Sequence, residues 1–164
     1  MARNRRDQID DIADLCGETV IAGPVTLVDA VMAAGKKGIT ATFTAPPNLP
    51  AISMDFERLT QVFLNLFINA IQAMGQGGKL VVDAAIQNSR IAVTVSDTGQ
   101  GMASDVLKSI FTPYYTTKPA GTGLGLAIVL KILEEHDCEI KVNSVPGQGT
   151  TFTLLFPKTT AVQG

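Results

Sequence analysis

The stretch 55–74 constrains the fold of this 164-residue chain more than any other. Its apolar residues recur at spacings of three and four, which is typical of a long helix with one buried face. They are Leu59, Val62, Phe63, Leu66, Ala70 and Ala73. The glycines that follow, at 75, 77 and 78, end the pattern. Such a helix needs a sheet or further helices to cover its apolar face.

Alternating apolar residues predict strands on both sides of this helix. The predicted strands are 25–28, 39–44, 80–86, 91–95, 139–143 and 151–156, and the predicted helices are 29–34, 55–74 and 124–135. Asn88 and Ser89 form the expected hairpin turn between two of the strands. Because helices and strands do not alternate regularly, we predict an α/β fold: a two-layer sandwich with a mixed, mostly antiparallel sheet and three helices on one face.

The chain divides into one domain with short extensions. Residues 1–20 read as the tail of a preceding helix plus a linker, 21–158 as the domain and 159–164 as a C-terminal tail.

A net charge of -2 argues against nucleic acid as a partner. No apolar stretch reaches the roughly 20 residues of a membrane helix, so we expect no membrane contact by this chain. Two distant cysteines favour a reducing compartment.

A line of neutral amides runs along the polar side of the first long helix. It consists of Gln61, Asn65, Asn69 and Gln72, and no charged residue occurs between Arg58 and Lys79. Solvated helix faces usually carry charges, whereas amides suit a partly dry site. An asparagine oxygen can ligate Mg²⁺ without adding negative charge beside a phosphate chain. The line by itself also fits an ordinary solvated face.

Two glycine motifs add to this pattern. The first, Asp97 to Met102, follows a predicted strand, where a carboxylate can accept a hydrogen bond from the exocyclic amine of adenine. The second, Gly121 to Leu126, opens the second long helix, where backbone N–H groups and the helix dipole favour phosphate. It matches neither the dinucleotide fingerprint nor a Walker P-loop. Taken alone, the first motif also fits a plain turn and the second a flexible hinge.

In order and spacing, these motifs resemble the catalytic domains of sensor histidine kinases, which belong to the GHKL superfamily. The resemblance runs from about Pro24 to Pro157. The similar segments are Asn65–Met74 (asparagine box), Asp97–Met102 (first glycine box), Ile110–Lys118 (phenylalanine box), Gly121–Ile128 (second glycine box) and Gly147–Phe152 (closing glycine motif). The sequence Asn-Ala-Ile-Gln-Ala-Met most resembles the nitrogen-regulation type of kinase.

The resemblance implies a Bergerat-type fold that binds ATP or ADP with Mg²⁺. It gives catalytic roles to Asn65 beside the phosphates, Asn69 on the metal and Lys118 on the phosphates. Asp97 would read adenine, Gly99 and Gly101 would make room for the base, and Thr150 would support it. Residues 103–122 would form a mobile lid anchored by Phe111. The remaining nucleotide-binding residues would be Met102, Thr117, Gly121, Thr122, Gly123, Leu124, Gly125 and Leu126.

His136 is the only histidine, and we interpret it as a structural residue at a helix end. The resemblance implies that the γ-phosphoryl group goes to a histidine on a separate dimerisation and phosphoacceptor domain, and then to a response regulator. It implies a cytoplasmic domain and leaves open whether the parent protein is membrane-anchored. Asp137 and Cys138 stand where the family often has Gly-Gly, which predicts a left-handed residue in that turn.

Three other functions compete with the kinase. Related ATPases of the gyrase, mismatch-repair and chaperone types activate water with a glutamate where this chain has Asn65. A neutral amide is a poor general base, so we expect negligible hydrolysis. A serine-directed GHKL kinase of the anti-sigma-factor type and an ATP-sensing interaction module remain as alternatives. Transfer of phosphate to an added acceptor domain distinguishes the kinase from the sensing module.

Overall fold

The computed structural model describes residues 35–50, 52, 54–119 and 121–157. The helix tail predicted within 1–20, the strand predicted at 25–28 and the helix predicted at 29–34 lie outside these residues. The described elements are β1 (Ile39–Thr44), α1 (Phe56–Met74), β2 (Gly78–Gln87), β3 (Arg90–Asp97), α2 (Ser104–Leu107), α3 (Gly125–Glu135), β4 (Glu139–Val145) and β5 (Gly149–Phe156). Each predicted strand and long helix in the described part of the chain is therefore present.

The strands form one mixed sheet in the order β1-β2-β3-β5-β4. β1 runs parallel to β2, and the other neighbouring pairs are antiparallel. The predicted hairpin turn joins β2 to β3, with positive φ at Asn88 and Ser89 as tight hairpin turns require. The prediction of an α/β fold with a mixed, mostly antiparallel sheet is confirmed.

The core lies between one face of the sheet and the two long helices. α1 begins at the N-cap Asp55, whose carboxylate accepts a hydrogen bond from the Arg58 N–H at 3.1 Å. Its core-facing side includes Phe63 and Phe67, which are fully buried and pack on each other with ring centroids 5.9 Å apart. α3 adds the buried residues Val129, Ile132 and Leu133. Within the described residues, no helix combines the length and apolar content needed to cross a membrane.

The helix-facing side of the sheet changes character along the strands. One cross-strand row consists of Val82, Val95, Phe152 and Val142. Two residues further along, the corresponding row has Leu80, Asp97, Thr150 and Ser144. Side chains two apart in a strand share a face. The apolar core therefore gives way to a polar patch at this end of the sheet.

The end of α3 confirms the predicted left-handed residue. Asp137 has φ 56°, and the N–H groups of Asp137 and Cys138 donate to the carbonyls of Glu134 and Leu133 at 3.2 and 2.8 Å. This pair of bonds is a Schellman motif, which ends many helices with glycine at the left-handed position. Here aspartate occupies that position instead.

Candidate nucleotide-binding site

A cavity of about 360 Å³ opens at the polar end of the sheet. It lies between the amide-bearing side of α1, the ends of β3 and β5, the loop after β3, and the start of α3. A volume of this size is typical of small-molecule sites. The elements that carry the sequence motifs thus surround one space.

Asp97 forms the buried floor of this cavity. Asp97 is only 9% exposed, and its Oδ1 accepts a hydrogen bond from the Gly99 N–H at 2.8 Å. Burial raises the pKa of the carboxyl above its ordinary value, while backbone N–H groups of Gly99 and Thr150 act in the opposite direction. A buried carboxylate with free acceptor capacity facing a cavity can select a hydrogen-bond donor on a ligand.

Ser144 organises the polar residues around that floor. Its Oγ accepts from the Met102 N–H at 2.8 Å, donates to the Gly149 carbonyl at 3.0 Å and lies 2.8 Å from Thr150 Oγ1. A hydroxyl has one hydrogen and two lone pairs, so all three are committed if Thr150 donates. Ser144 therefore ties the first glycine motif to the β4–β5 turn. In the sequence Ser144 follows the predicted strand 139–143 directly and belongs to no motif, so the site prediction missed it.

The glycines of the first motif are required by the protein itself. A Cβ on Gly99 would lie 2.7 Å from the Ala73 carbonyl, and one on Gly101 would lie 2.1 Å from the Val145 carbonyl. Gly101 also has φ 67°, which side chains rarely adopt. Close approach of α1 and the β4–β5 turn to this loop accounts for both glycines, independently of any base in the cavity.

Three of the four amides on α1, namely Asn65, Asn69 and Gln72, line the cavity and contact the lid or α3, whereas Gln61 is exposed and does not line it. Asn65 Nδ2 donates to the Gly125 carbonyl at 3.3 Å, at the first residue of α3. Asn69 Oδ1 accepts a hydrogen bond from Lys118 Nζ at 2.9 Å, and Gln72 Oε1 accepts from the same ammonium at 2.5 Å. Burial lowers the pKa of Lys118. Asn65, Asn69 and Gln72 thus have specific partners, which the side chains of a simple solvated face would lack.

The segment predicted as a lid, 103–122, contains the short helix α2 and a series of turns. Ile110 is buried, and Phe111 packs against the core, in keeping with its predicted anchoring role. Tyr115 lines the cavity, whereas Tyr114 is 77% exposed with φ 67°. The Tyr114 N–H donates to the Gly123 carbonyl at 2.9 Å and joins the two ends of the loop that carries Lys118.

The predicted site residues come together with few exceptions. Those that line the cavity are Asn65, Asn69, Asp97, Gly101, Met102, Thr117, Lys118, Gly121, Thr122, Gly123, Gly125, Leu126 and Thr150. Gly99, Phe111 and Leu124 do not line it: Gly99 packs on α1, Phe111 on the core, and Leu124 is the N-cap residue of α3. The lining residues that the site prediction omitted are Ile68, Gln72, Ala73, Gln100, Val106, Ile110, Tyr115, Thr116 and Phe152.

The only histidine lies at the opposite end of α3 from the cavity. His136 is the C-cap residue, and its Nδ1 lies 2.7 Å from the Ile132 carbonyl. Gly125, at the other end of the helix, lines the cavity. The interpretation of His136 as a helix-end structural residue is in keeping with this placement.

The donor chemistry at Asn69 fits a magnesium ion. Asn69 lines the cavity, and its Oδ1 already accepts a hydrogen bond from a cationic group, the Lys118 ammonium. Amide oxygens are hard ligands of the kind that Mg²⁺ takes, usually together with waters and nucleotide phosphates. This side chain can therefore supply one protein ligand.

Comparison with known proteins agrees with the geometry. Residues 54–160 match the family model described as histidine kinase-, DNA gyrase B-, and HSP90-like ATPase. Sensor histidine kinase ZraS of Escherichia coli (strain K12) is 51% identical over 124 residues, covering 76% of this chain and 27% of ZraS. The chain thus spans about a quarter of the length of this relative.

Solved structures show the same fold. The nucleotide-free catalytic domain of histidine kinase ThkA superposes with a TM-score of 0.73 at 32% identity, covering 82% of this chain and 90% of that one. Full-length ShkA, solved in complex with AMPPNP, has a TM-score of 0.73 at 28% identity and covers 98% of this chain and 31% of ShkA. With both glycine motifs and the amide line around one cavity, this chain belongs to the family of histidine kinase-, DNA gyrase B- and HSP90-like ATPases, as a catalytic domain of the sensor histidine kinase type.

Proposed function

We propose that this domain binds Mg²⁺-ATP in the cavity and transfers the γ-phosphoryl group to a histidine on a separate dimerisation and phosphoacceptor domain. A response regulator would take the phosphoryl group from that histidine. The observation that carries the proposal is the composition of the cavity: an acceptor carboxylate lies at its floor, and an ammonium, amide oxygens and a helix N-terminus line it elsewhere. We place the reaction in the cytoplasm, where ATP is supplied.

The floor of the cavity favours adenine. The Asp97 carboxylate would accept a hydrogen bond from the exocyclic amine of the base. Guanine has a carbonyl oxygen at the corresponding position, which a carboxylate would repel. Thr150, buried and adjacent to Asp97 across the β3–β5 pair, has its hydroxyl oriented by Ser144. These contacts are the basis for assigning the base to this end.

The side of the cavity formed by Lys118 and the start of α3 favours phosphates. The ammonium of Lys118 and the N–H groups around Gly123 and Gly125 are all donors, and the α3 dipole adds positive potential. Asn69 would hold Mg²⁺, which neutralises charge on the phosphate oxygens when it is bound. Full-length ShkA binds AMPPNP, and the likeness to it supports a triphosphate here.

The side chains of α1 favour transfer to an added nucleophile rather than to water. Asn65 and Asn69 are neutral amides and cannot take a proton from water as a carboxylate would. The imidazole nitrogen of an acceptor histidine is a good nucleophile without such help. It would form a P–N bond as the bond to the β,γ-bridging oxygen breaks, so that ADP leaves and the ring loses its proton to solvent. The domain's part is positioning and charge neutralisation.

The proposal is tested with radiolabelled ATP and separately purified acceptor domains of the nitrogen-regulation type. We expect label on the acceptor that acid removes, as it removes phosphate from histidine, and no label when the acceptor histidine is changed to glutamine. Label that survives acid would instead indicate a serine-directed kinase. Nucleotide binding with no label on any acceptor would favour the ATP-sensing module and contradict the kinase.

A further inference from the structure

The lid lysine is bound by two amide oxygens of α1. Lys118 Nζ lies 2.9 Å from Asn69 Oδ1 and 2.5 Å from Gln72 Oε1. Residues 69 and 72 are three apart in a helix, so their side chains lie on the same face, one turn above the other. The two oxygens converge on one point, and that point is occupied by a positive charge.

This arrangement is a small binding site for a cation. Both acceptors are neutral, so they attract a cation without placing negative charge beside the phosphates. Gln72 is exposed and lines the cavity mouth. Its amide oxygen would otherwise be hydrated, and no part of the kinase mechanism described above uses it. A specific contact to the lid gives this side chain a role.

We propose that Asn69 Oδ1 and Gln72 Oε1 form a cation seat for Lys118, that Mg²⁺ and Lys118 take the Asn69 oxygen in turn, and that Gln72 is the positioning residue that holds Lys118 when no metal is bound. The inference rests on the proposed metal role of Asn69. If the Lys118 ammonium and a divalent ion both contacted Asn69 Oδ1, the two positive charges would lie side by side and repel each other strongly in a half-buried cavity. The two cations therefore exclude each other at this oxygen. Arrival of the metal therefore releases Lys118, which becomes free to contact the phosphates.

The exchange of lid amides with deuterium tests the seat without nucleotide or metal. Gln72→Met keeps side-chain length and removes the oxygen, so we expect exchange of the amides at 115–118 to accelerate by about threefold. Gln72→Glu replaces the amide by a carboxylate, which should hold the ammonium more firmly and slow the same amides. Gln61→Met, an exposed change on the same helix, is the matched control and should leave the segment unaltered.

ADP affinity with and without Mg²⁺ tests the alternation of the two cations. Releasing Lys118 in advance should raise the affinity gained from Mg²⁺ by about threefold in Gln72→Met relative to the unsubstituted domain and to Gln61→Met. The seat is overturned if Gln72→Met and Gln72→Glu leave lid exchange unchanged or shift it in the same direction. If lid exchange changes as expected but Gln72→Met leaves the affinity gained from Mg²⁺ unchanged, then Lys118 and Mg²⁺ do not compete for the Asn69 oxygen and this part of the proposal is overturned. Failure of phosphotransfer to an acceptor alters neither measurement, so the proposed function and the seat fail separately.

Discussion

Asp97 is buried and can carry a charge, and we expect its main contribution to be the contact that it makes with a bound nucleotide. Changing Asp97 to Asn keeps the shape but replaces one charged acceptor by a neutral amide. We expect the affinity for ADP to fall by about 1.5–3 kcal/mol, the range for hydrogen bonds to charged groups. Isothermal titration calorimetry of the two proteins measures this difference, and equal affinities would remove Asp97 from the base-binding site.

Because burial raises the pKa of Asp97, nucleotide affinity should depend on pH in a defined direction. Above that pKa the carboxylate is ionised and accepts from adenine; below it, the group is protonated and the contact is lost. Nucleotide affinity should therefore decline on acidification at a higher pH than an ordinary aspartate would give. Without ligand the sign is reversed: a carboxyl with a raised folded-state pKa contributes more stability as the pH falls through it.

A pH series of ADP affinities for the unsubstituted domain and for Asp97→Asn measures the first effect. Protonation of the base itself affects both proteins equally, so the difference between the two curves isolates Asp97. Parallel curves would show that the aspartate does not titrate against the ligand.

Asn69 provides the sharpest separation between a functional and a structural amide. It is half-buried on the cavity side of α1, away from the core residues. Asn69→Ala should abolish phosphotransfer and remove the Mg²⁺ dependence of ATP affinity, while the thermal unfolding midpoint changes little. A midpoint lowered as far as in a core variant would mean that the side chain serves the fold.

At the level of elements, the segment from Lys118 into α3 should respond to the γ-phosphate. Lys118 and the N–H groups around Gly123 and Gly125 gain charge-assisted hydrogen bonds only when phosphates are present. An ATP analogue should therefore slow hydrogen exchange across Lys118–Leu126 more than ADP does, and Lys118→Ala should erase much of the difference. Identical exchange without nucleotide, with ADP and with the analogue would exclude a phosphate-sensing lid.

The elements differ in how far the sequence predicts them. The two faces of α1 follow from spacing alone, because burial selects apolar residues every three or four positions and the remaining line of amides stands out. The loop after β3 has no such period. The bond from Tyr114 to Gly123 joins residues nine positions apart through backbone atoms, and its mark in the sequence is a glycine that the second glycine motif already explained as phosphate-binding. Ser144 was missed for a related reason, since its partners are mostly backbone groups.

For the molecule as a whole, the core of α1 against the sheet sets stability. Phe63 is fully buried and packs against Phe67. Phe63→Ala should lower the free energy of unfolding in urea by about 3–5 kcal/mol, as for other buried aromatic truncations. Gln61→Ala, two residues away on the exposed side, should change it by no more than about 0.5 kcal/mol. A small effect of Phe63→Ala would mean that the helix is packed differently.

The sheet order was not predictable in the same way. Alternation identifies the strands, but neighbours such as β3 and β5 are distant in sequence and are chosen by the closing of the whole core. The polar row containing Asp97, Thr150 and Ser144 exists only because these strands pair in this register. The family resemblance placed Asp97 and Thr150 in one site; residue spacing could not.

The bond between the Tyr114 N–H and the Gly123 carbonyl also bears on the entropy of nucleotide binding. A Cβ on Gly123 would lie 2.4 Å from the Tyr114 carbonyl carbon, so the two backbones are in close contact. With Ile110 buried and Tyr114 bonded to Gly123, the part of the predicted lid that would still have to be ordered around phosphates is the loop between residues 114 and 123. Fixing the backbone of each residue costs roughly 1–2 kcal/mol of conformational entropy. Because the two ends of this loop are already joined, less entropy should be lost when ATP binds.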